Sequence, residues 1–237
     1  MAEWTELFDG KSLQGWKGRK GKGDAAPEHT WMVVGGVTLH PEHDTLLVAR
    51  AAEAAEAGRS GKGGTGVLVN GDDGRTSDLQ SELEHGDCEL HIEFCVAAKS
   101  NSGVYLQGQY EIQILDSWGE TESTFKSCGA LYPRWITETQ TAYEGKAPGS
   151  NASKRPGEWQ SFDIVFRAPR FDGSGKKVAN ARFEKVTHNG VVIHEGYEYQ
   201  GPSRGSWNPE DIAQGPIRLQ GDHGPVAFRN VRIRPLD

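Results

Sequence analysis

The run YEIQILD at 110–116 sets an acid and an amide among residues suited to burial and closes on a second acid. Side chains alternate between the faces of a strand, so Tyr110, Ile112 and Ile114 share one face and Glu111 and Gln113 the other. Glu111 and Asp116 are five apart and fall on opposite faces of a regular strand. A β-bulge near Ile114-Leu115 would return Asp116 to the face of Glu111. Two carboxyls held roughly 5–5.5 Å apart could then act as nucleophile and acid of a retaining glycosidase.

Two further strands carry long polar side chains on one face. In GPIRLQGDHG (215–224), Arg218, Gln220 and Asp222 oppose Ile217 and Leu219; in CELHIEFCVA (88–97), His91 and Glu93 oppose Leu90, Ile92 and Phe94. If these strands neighbour YEIQILD in one curved sheet, the shared face is a groove of acids, amides and a guanidinium that suits vicinal sugar hydroxyls. Tyr105, Trp118, Tyr132, Trp135 and Trp207 could stack on a sugar ring. The same pattern also describes an outer face of ordinary solvated side chains. GDHG (221–224) reads as a tight turn, where His223 beside Asp222 is either a general base or a water-exposed turn residue. A divalent metal ion could take Glu111, Asp222 and His223 as ligands, although no spacing signature requires one and no other cofactor is indicated.

The elements that must position these residues are short and β-rich. Alternating segments fall at 31–39, 65–70, 78–83, 88–97, 102–108, 110–116, 159–168, 181–190, 191–196, 215–221 and 226–235, separated by Gly, Asn and Asp. Eleven such strands predict an all-β sandwich of antiparallel sheets. Asn189-Gly190 predicts a type I′ hairpin. RAAEAAEA (50–57), closed by Gly58, is the one helical stretch. Loops 117–158 and 196–214 are long enough to shape a binding site. Neither a linker nor a repeat divides residues 1–237, which predicts a single domain.

Composition limits the function classes. A net charge of −7 argues against nucleic acid, which wants a concentrated basic surface, and the basic run at Lys17–Lys22 reads as a solvated loop. No apolar run is long enough for a membrane span. MAEWTELFDG lacks a signal-peptide core, which suits either a cytoplasmic protein or a periplasmic or secreted one in mature form, the latter being the expectation. Cys88, Cys95 and Cys128 are odd in number and lack zinc-site spacing, so neither a disulfide framework nor a structural zinc is expected. Cys88 falls on the core face of its strand and Cys95 on the opposite one. The sequence leaves the oligomeric state open.

LFDGKSLQGW (7–16), NSGVYLQGQYEIQILDS (101–117), HNGVVIH (188–194) and GPIRLQGDHGPVAFRNVRIRPL (215–236) resemble, in order, the motifs of the 3-keto-disaccharide hydrolase domain family. The resemblance runs from about residue 4 to the C-terminus. It implies a concanavalin A-like jelly roll, related in shape to laminin-G modules and jelly-roll glucanases, from bacteria that degrade glycans. The implied activity is hydrolysis, or elimination followed by hydration, of glycosides oxidised at C3. A 3-keto group acidifies the proton at C2, so a base and a stabiliser of oxyanion charge suffice and the two-carboxylate pair is unnecessary. On that chemistry Glu111 or His223 is the base, Gln113 and Gln220 bind the sugar, and Arg218 or a metal stabilises the enediolate. Asp116 would be the acid for the leaving group. Jelly-roll glucanases have an acid where this chain has Gln113. A non-catalytic carbohydrate-binding module and an ordinary glucanase are the competing readings.

Overall fold

The computed structural model describes residues 2–19, 28–51, 66–71 and 73–236. The helical stretch expected at 50–57 lies outside the described residues apart from Arg50 and Ala51, as do Lys20–Lys22 of the basic run. Every regular element described is a strand. In chain order they are β1 (Thr5–Glu6), β2 (Trp16–Arg19), β3 (Met32–Val34), β4 (Gly36–Leu39), β5 (Leu47–Arg50), β6 (Val67–Val69), β7 (Asp78–His85), β8 (Cys88–Val96), β9 (Asn101–Leu106) and β10 (Tyr110–Leu115). They continue as β11 (Arg134–Ile136), β12 (Thr141–Tyr143), β13 (Gln160–Arg167), β14 (Arg170–Phe171), β15 (Lys177–Ala179), β16 (Ala181–His188), β17 (Val191–Tyr199), β18 (Gly215–Leu219) and β19 (Val226–Pro235). Among the described residues no helix is long and apolar enough to cross a membrane.

Two antiparallel sheets make the jelly-roll sandwich. The larger runs β17-β16-β13-β8-β19-β6-β3, with β1 also on β19, and the smaller runs β10-β9-β18-β7-β2. Alternation sends Leu90, Ile92 and Phe94 of β8 and Phe162, Ile164 and Phe166 of β13 inward against Ile112 and Ile114 of β10 and Ile217 and Leu219 of β18. Aromatic rings join the layers, with Tyr110 of β10 5.5 Å from Phe166 of β13. The β16–β17 hairpin turns on Asn189 and Gly190, both with φ positive, as a type I′ turn requires.

Two expectations change, and that for Cys95 holds with an addition. Trp16–Arg19 is an edge strand of the smaller sheet rather than part of a loop, because Trp16 buries itself and donates its indole N–H to the Leu7 carbonyl at 2.6 Å. Cys95 does point away from the main core, yet it is buried, because β4 and β5 cover that part of the larger sheet and Val37 and Leu47 pack there. All three cysteines are free and buried. No bulge interrupts β10: its register with β9 is continuous from Tyr110↔Leu106 to Leu115↔Asn101.

The turn 221–224 is clamped from below. Asn70, fully buried, donates its amide to the carbonyls of Gly221 at 3.0 Å and Gly224 at 2.9 Å and accepts the Val226 N–H at 2.9 Å. Gly74 (φ +63°) lies so close that a Cβ there would sit 2.2 Å from the Gly224 carbonyl carbon. Asn70→Ala strands one donor and two acceptors, and is expected to lower unfolding free energy by about 2–4 kcal/mol in urea titrations. Burial also holds His85, His188 and His194 down from 6.5 to about 4. His85 is fixed as a neutral tautomer, since its Nε2 accepts the Gln107 N–H at 3.0 Å. The unfolded chain takes up protons on these groups below 6.5 and the folded chain does not until about 4. Stability is therefore complete above 6.5 and falls as pH drops toward 4, by on the order of 1–3 kcal/mol per histidine, in denaturation midpoints measured across that window.

Candidate functional site

The outer face of the smaller sheet carries a row of polar side chains set by strand register. Glu111 of β10 pairs with Tyr105 of β9, Tyr105 with Arg218 of β18, Arg218 with Gln80 of β7, and Gln80 with Lys17 of β2. A second row places Gln113 opposite Gly103 and Asp78 opposite Arg19. Gly103 has a steric role: a Cβ there would lie 2.4 Å from Glu111 Oε1, so only glycine lets that carboxyl lie across β9. A register shift between Pro216 and Arg218 is held by the Ser81 hydroxyl, which accepts the Ile217 N–H at 2.9 Å.

Arg218 is the centre of the row. It is buried, with its guanidinium carbon 3.6 Å from the Tyr105 ring centroid and 4.2 Å from that of Trp207. Its Nε lies 3.1 Å from Asp78 Oδ2, and its Nη1 donates to the Gly205 carbonyl at 3.0 Å. Asp78 Oδ1 accepts the Gly221 N–H at 3.0 Å, tying the guanidinium to the 221–224 turn. The loop after β17 is fixed to β10 by the Ser203 hydroxyl, which donates to the Gln109 carbonyl at 2.8 Å and accepts the Glu111 N–H at 3.0 Å.

Above this row lies a groove with two arms. The inner arm, about 280 Å³, is lined by Asn101, Glu111, Gln113, Tyr132, Gln220 and His223 among others. The outer arm, about 850 Å³, shares Tyr105, Gly205, Gln220 and His223 with it and extends over Trp207 toward Arg19, His29 and Arg75. Burial pushes the Glu111 carboxyl up to about 8; its hydrogen bond with Tyr105 and the charge of Arg218 oppose the rise, and Asp78 adds to it. Burial likewise raises Asp78, against the pull of Arg218 and the Gly221 N–H. Burial and the Glu111 charge raise the Tyr105 phenol. Gln113 Oε1 and Asn101 Oδ1 are buried acceptors without a protein partner, which in a groove marks a place for ligand donors. At the rim, Asp222 Oδ1 contacts Nδ1 of the half-exposed His223, and the Arg75 guanidinium holds the Asp222 carbonyl at 2.7 Å.

The fold thus brings Glu111, Gln113, Gln220, His223, Arg218, Asp222 and Tyr105 to one groove. It does not bring His91 and Glu93, because β8 belongs to the larger sheet. There His91 meets Asp163 at 2.6 Å, and Glu93 accepts from Arg229 and Asn230, each at 2.6 Å. Asp116 follows the unbulged strand and caps a turn, accepting the N–H groups of Lys99 at 2.9 Å and Trp118 at 3.3 Å. Trp118 is exposed under Arg155, and Trp135 stacks on Arg204 at 3.9 Å, so it reaches the groove only through that residue. Both faces of the Arg218 guanidinium are taken by Tyr105 and Trp207, which makes Trp207 a partner of arginine. Among the described residues no group of three or more His, Cys, Asp or Glu side chains is arranged to hold a metal ion, so Glu111, Asp222 and His223 do not form the expected set. Sequence reasoning missed Asp78, Asn101, Arg19 and Asn70. Alternation in DLQSEL already put Asp78 and Gln80 on one face; nothing local marked Asn70.

Three solved structures share the fold, each a candidate glycosyl hydrolase from Parabacteroides distasonis ATCC 8503. One is 27% identical with a TM-score of 0.65, covering 98% of this chain and 84% of its own. The second is 22% identical with a TM-score of 0.55, covering 99% and 100%, and the third 17% identical with a TM-score of 0.52, covering 99% and 94%. No curated protein matches the chain. A polar groove on a jelly-roll sheet, with a buried carboxyl and an Asp–His pair at its rim, suits a carbohydrate-active enzyme of the glycoside hydrolase or lyase kind. The model of the 3-keto-alpha-glucoside-1,2-lyase-like domain matches residues 3–234, and the chain belongs to that family.

Proposed function

We propose that the chain cleaves glycosides already oxidised to a ketone at C3, by proton abstraction at C2, elimination of the C1 substituent and hydration. The observation that carries this reading is the pairing, in one arm of the groove, of a carboxyl held protonated at neutral pH with a histidine whose Nδ1 is engaged by a carboxylate.

With Asp222 accepting from Nδ1, His223 offers the Nε2 lone pair as a base and Asp222 stabilises the imidazolium that forms. Removal of the C2 proton leaves the electron pair delocalised onto O3 as an enediolate. The carboxamide N–H groups of Gln113 and Gln220 donate to that oxygen, and the buried charge of Arg218 lowers its energy. As the C1–O bond breaks, its electrons leave with the departing oxygen, the C1=C2 bond forms and the ketone is restored. Glu111, protonated at neutral pH, delivers its proton to the departing oxygen. Water then adds across C1=C2: Glu111 takes its proton as oxygen joins C1, and His223 returns a proton to C2. One acid and one base on opposite sides of a single ring are enough, which accounts for an amide at Gln113 and for Asp116 serving a turn.

Chromogenic 3-keto-glucosides should turn over while their unoxidised parents do not. Equal cleavage of both would overturn the reading in favour of an ordinary glucanase, and binding without cleavage of either would favour a carbohydrate-binding module. Glu111→Gln is expected to lower kcat/KM by about 10²–10⁴-fold for alkyl leaving groups and far less for nitrophenol, which needs no proton. For alkyl glycosides, wild-type kcat/KM should fall as pH rises through about 8, where Glu111 ionises, and Glu111→Gln should lack that limb. His223→Ala should lose about 10²-fold for both substrate kinds and abolish deuterium wash-in at C2 in heavy water. Wash-in that persists in His223→Ala would assign the base elsewhere.

A further inference from the structure

The outer arm carries two guanidinium groups that the catalytic chemistry does not use. Its charged groups are Arg19, Arg75, Arg218, His29 and His223 against Glu28, Asp78 and Asp222. Asp78 balances Arg218, and the Asp222 carboxylate is engaged by the His223 imidazole. The guanidinium groups left over have neutral partners. Arg19 donates from Nη1 to the Gln80 side-chain carbonyl at 3.2 Å and lies over Trp207 at 4.5 Å, while Arg75 donates from Nη1 to the Asp222 backbone carbonyl at 2.7 Å. Among the described residues neither has a carboxylate within ion-pair distance, and Glu28, which is exposed, pairs with neither. Arg19 Nε and His29 Nδ1 are in addition buried and without a protein partner. Two arginines on one groove wall, neither ion-paired to a carboxylate, present planar donors that match a carboxylate's two oxygens.

We propose that the outer arm is a leaving-group subsite for a carboxylate-bearing aglycone, such as a uronic acid or an aromatic acid. This rests on the glycoside-cleaving reading above and fixes the direction of binding. The oxidised ring occupies the inner arm, whose volume of about 280 Å³ admits one sugar ring, with C1 facing the junction at Tyr105 and Gly205. The departing group extends along the outer arm past Trp207, its carboxylate reaching Arg19 and Arg75.

The test begins with calorimetric titration of phenyl and 4-carboxyphenyl glucosides, in both anomers and unoxidised so that binding is read without turnover. The carboxylate should improve affinity by about 10-fold in 50 mM salt, with the advantage shrinking as salt rises while the phenyl compound changes little. Arg19→Gln and Arg75→Gln, each compared with itself across the two ligands, should bring the ratio toward one. The 3-keto forms of the same pair then report the ratio of kcat/KM. Equal affinity for the two ligands in the wild type, or a preference that survives both substitutions, overturns the subsite. A carboxylate preference in binding without cleavage of either keto compound would retain the subsite and overturn the cleavage reading instead. Cleavage of both keto compounds at equal efficiency would do the reverse.

Discussion

A buried guanidinium organises the groove face of the smaller sheet. Desolvating Arg218 costs several kcal/mol unless its charge and its donors are met, and the surrounding fold is shaped by that requirement. Asp78 supplies the opposite charge, the Gly205 carbonyl accepts a hydrogen bond from Nη1, and Tyr105 and Trp207 close over the two faces of the plane. These partners come from three places: β7, the loop after β17, and β9. Satisfying one side chain therefore fixes three elements together, and through Asp78 it also fixes the turn that carries Asp222 and His223.

The same burial accounts for the acid. Glu111 sits in the row beside Tyr105 and Arg218, where loss of water disfavours its charged form more than its neighbours favour it. The absent side chain of Gly103 gives the carboxyl its space. A residue that would be an ordinary solvated acid on an open strand keeps its proton up to about pH 8 because it is buried beside the loop held by Ser203. Raising a carboxyl and burying a guanidinium in the same row is self-consistent: the cation limits how far the acid rises, and Asp78 limits the uncompensated charge beneath the groove.

The larger sheet does different work. Its inner face supplies most of the core, and its outer face is a ladder of paired charges in which His91, Glu93, Asp163 and Arg229 satisfy one another. These residues have the types and alternation of a sugar site. What separates them from Glu111 and Arg218 is the sheet they belong to.

Local sequence determined what depends on near neighbours. Period-two alternation set which side chains of YEIQILD and GPIRLQG face the core and which face outward, Asn189-Gly190 set a hairpin, and the absence of helical periodicity over most of the chain set the all-β class. The grouping of Glu111, Gln113, Arg218 and Gln220 on one face was legible for that reason. Tertiary structure decided everything that depends on which strands are neighbours. It placed β8 in the other sheet and so removed His91 and Glu93, and it kept β10 unbulged and so removed Asp116. It also recruited Asp78, Arg19 and Asn70 from positions more than thirty residues from the motifs they support. Face is a property of a strand's own backbone geometry; sheet membership, burial and the proton affinity of Glu111 depend on contacts between residues about a hundred positions apart, which no local pattern encodes.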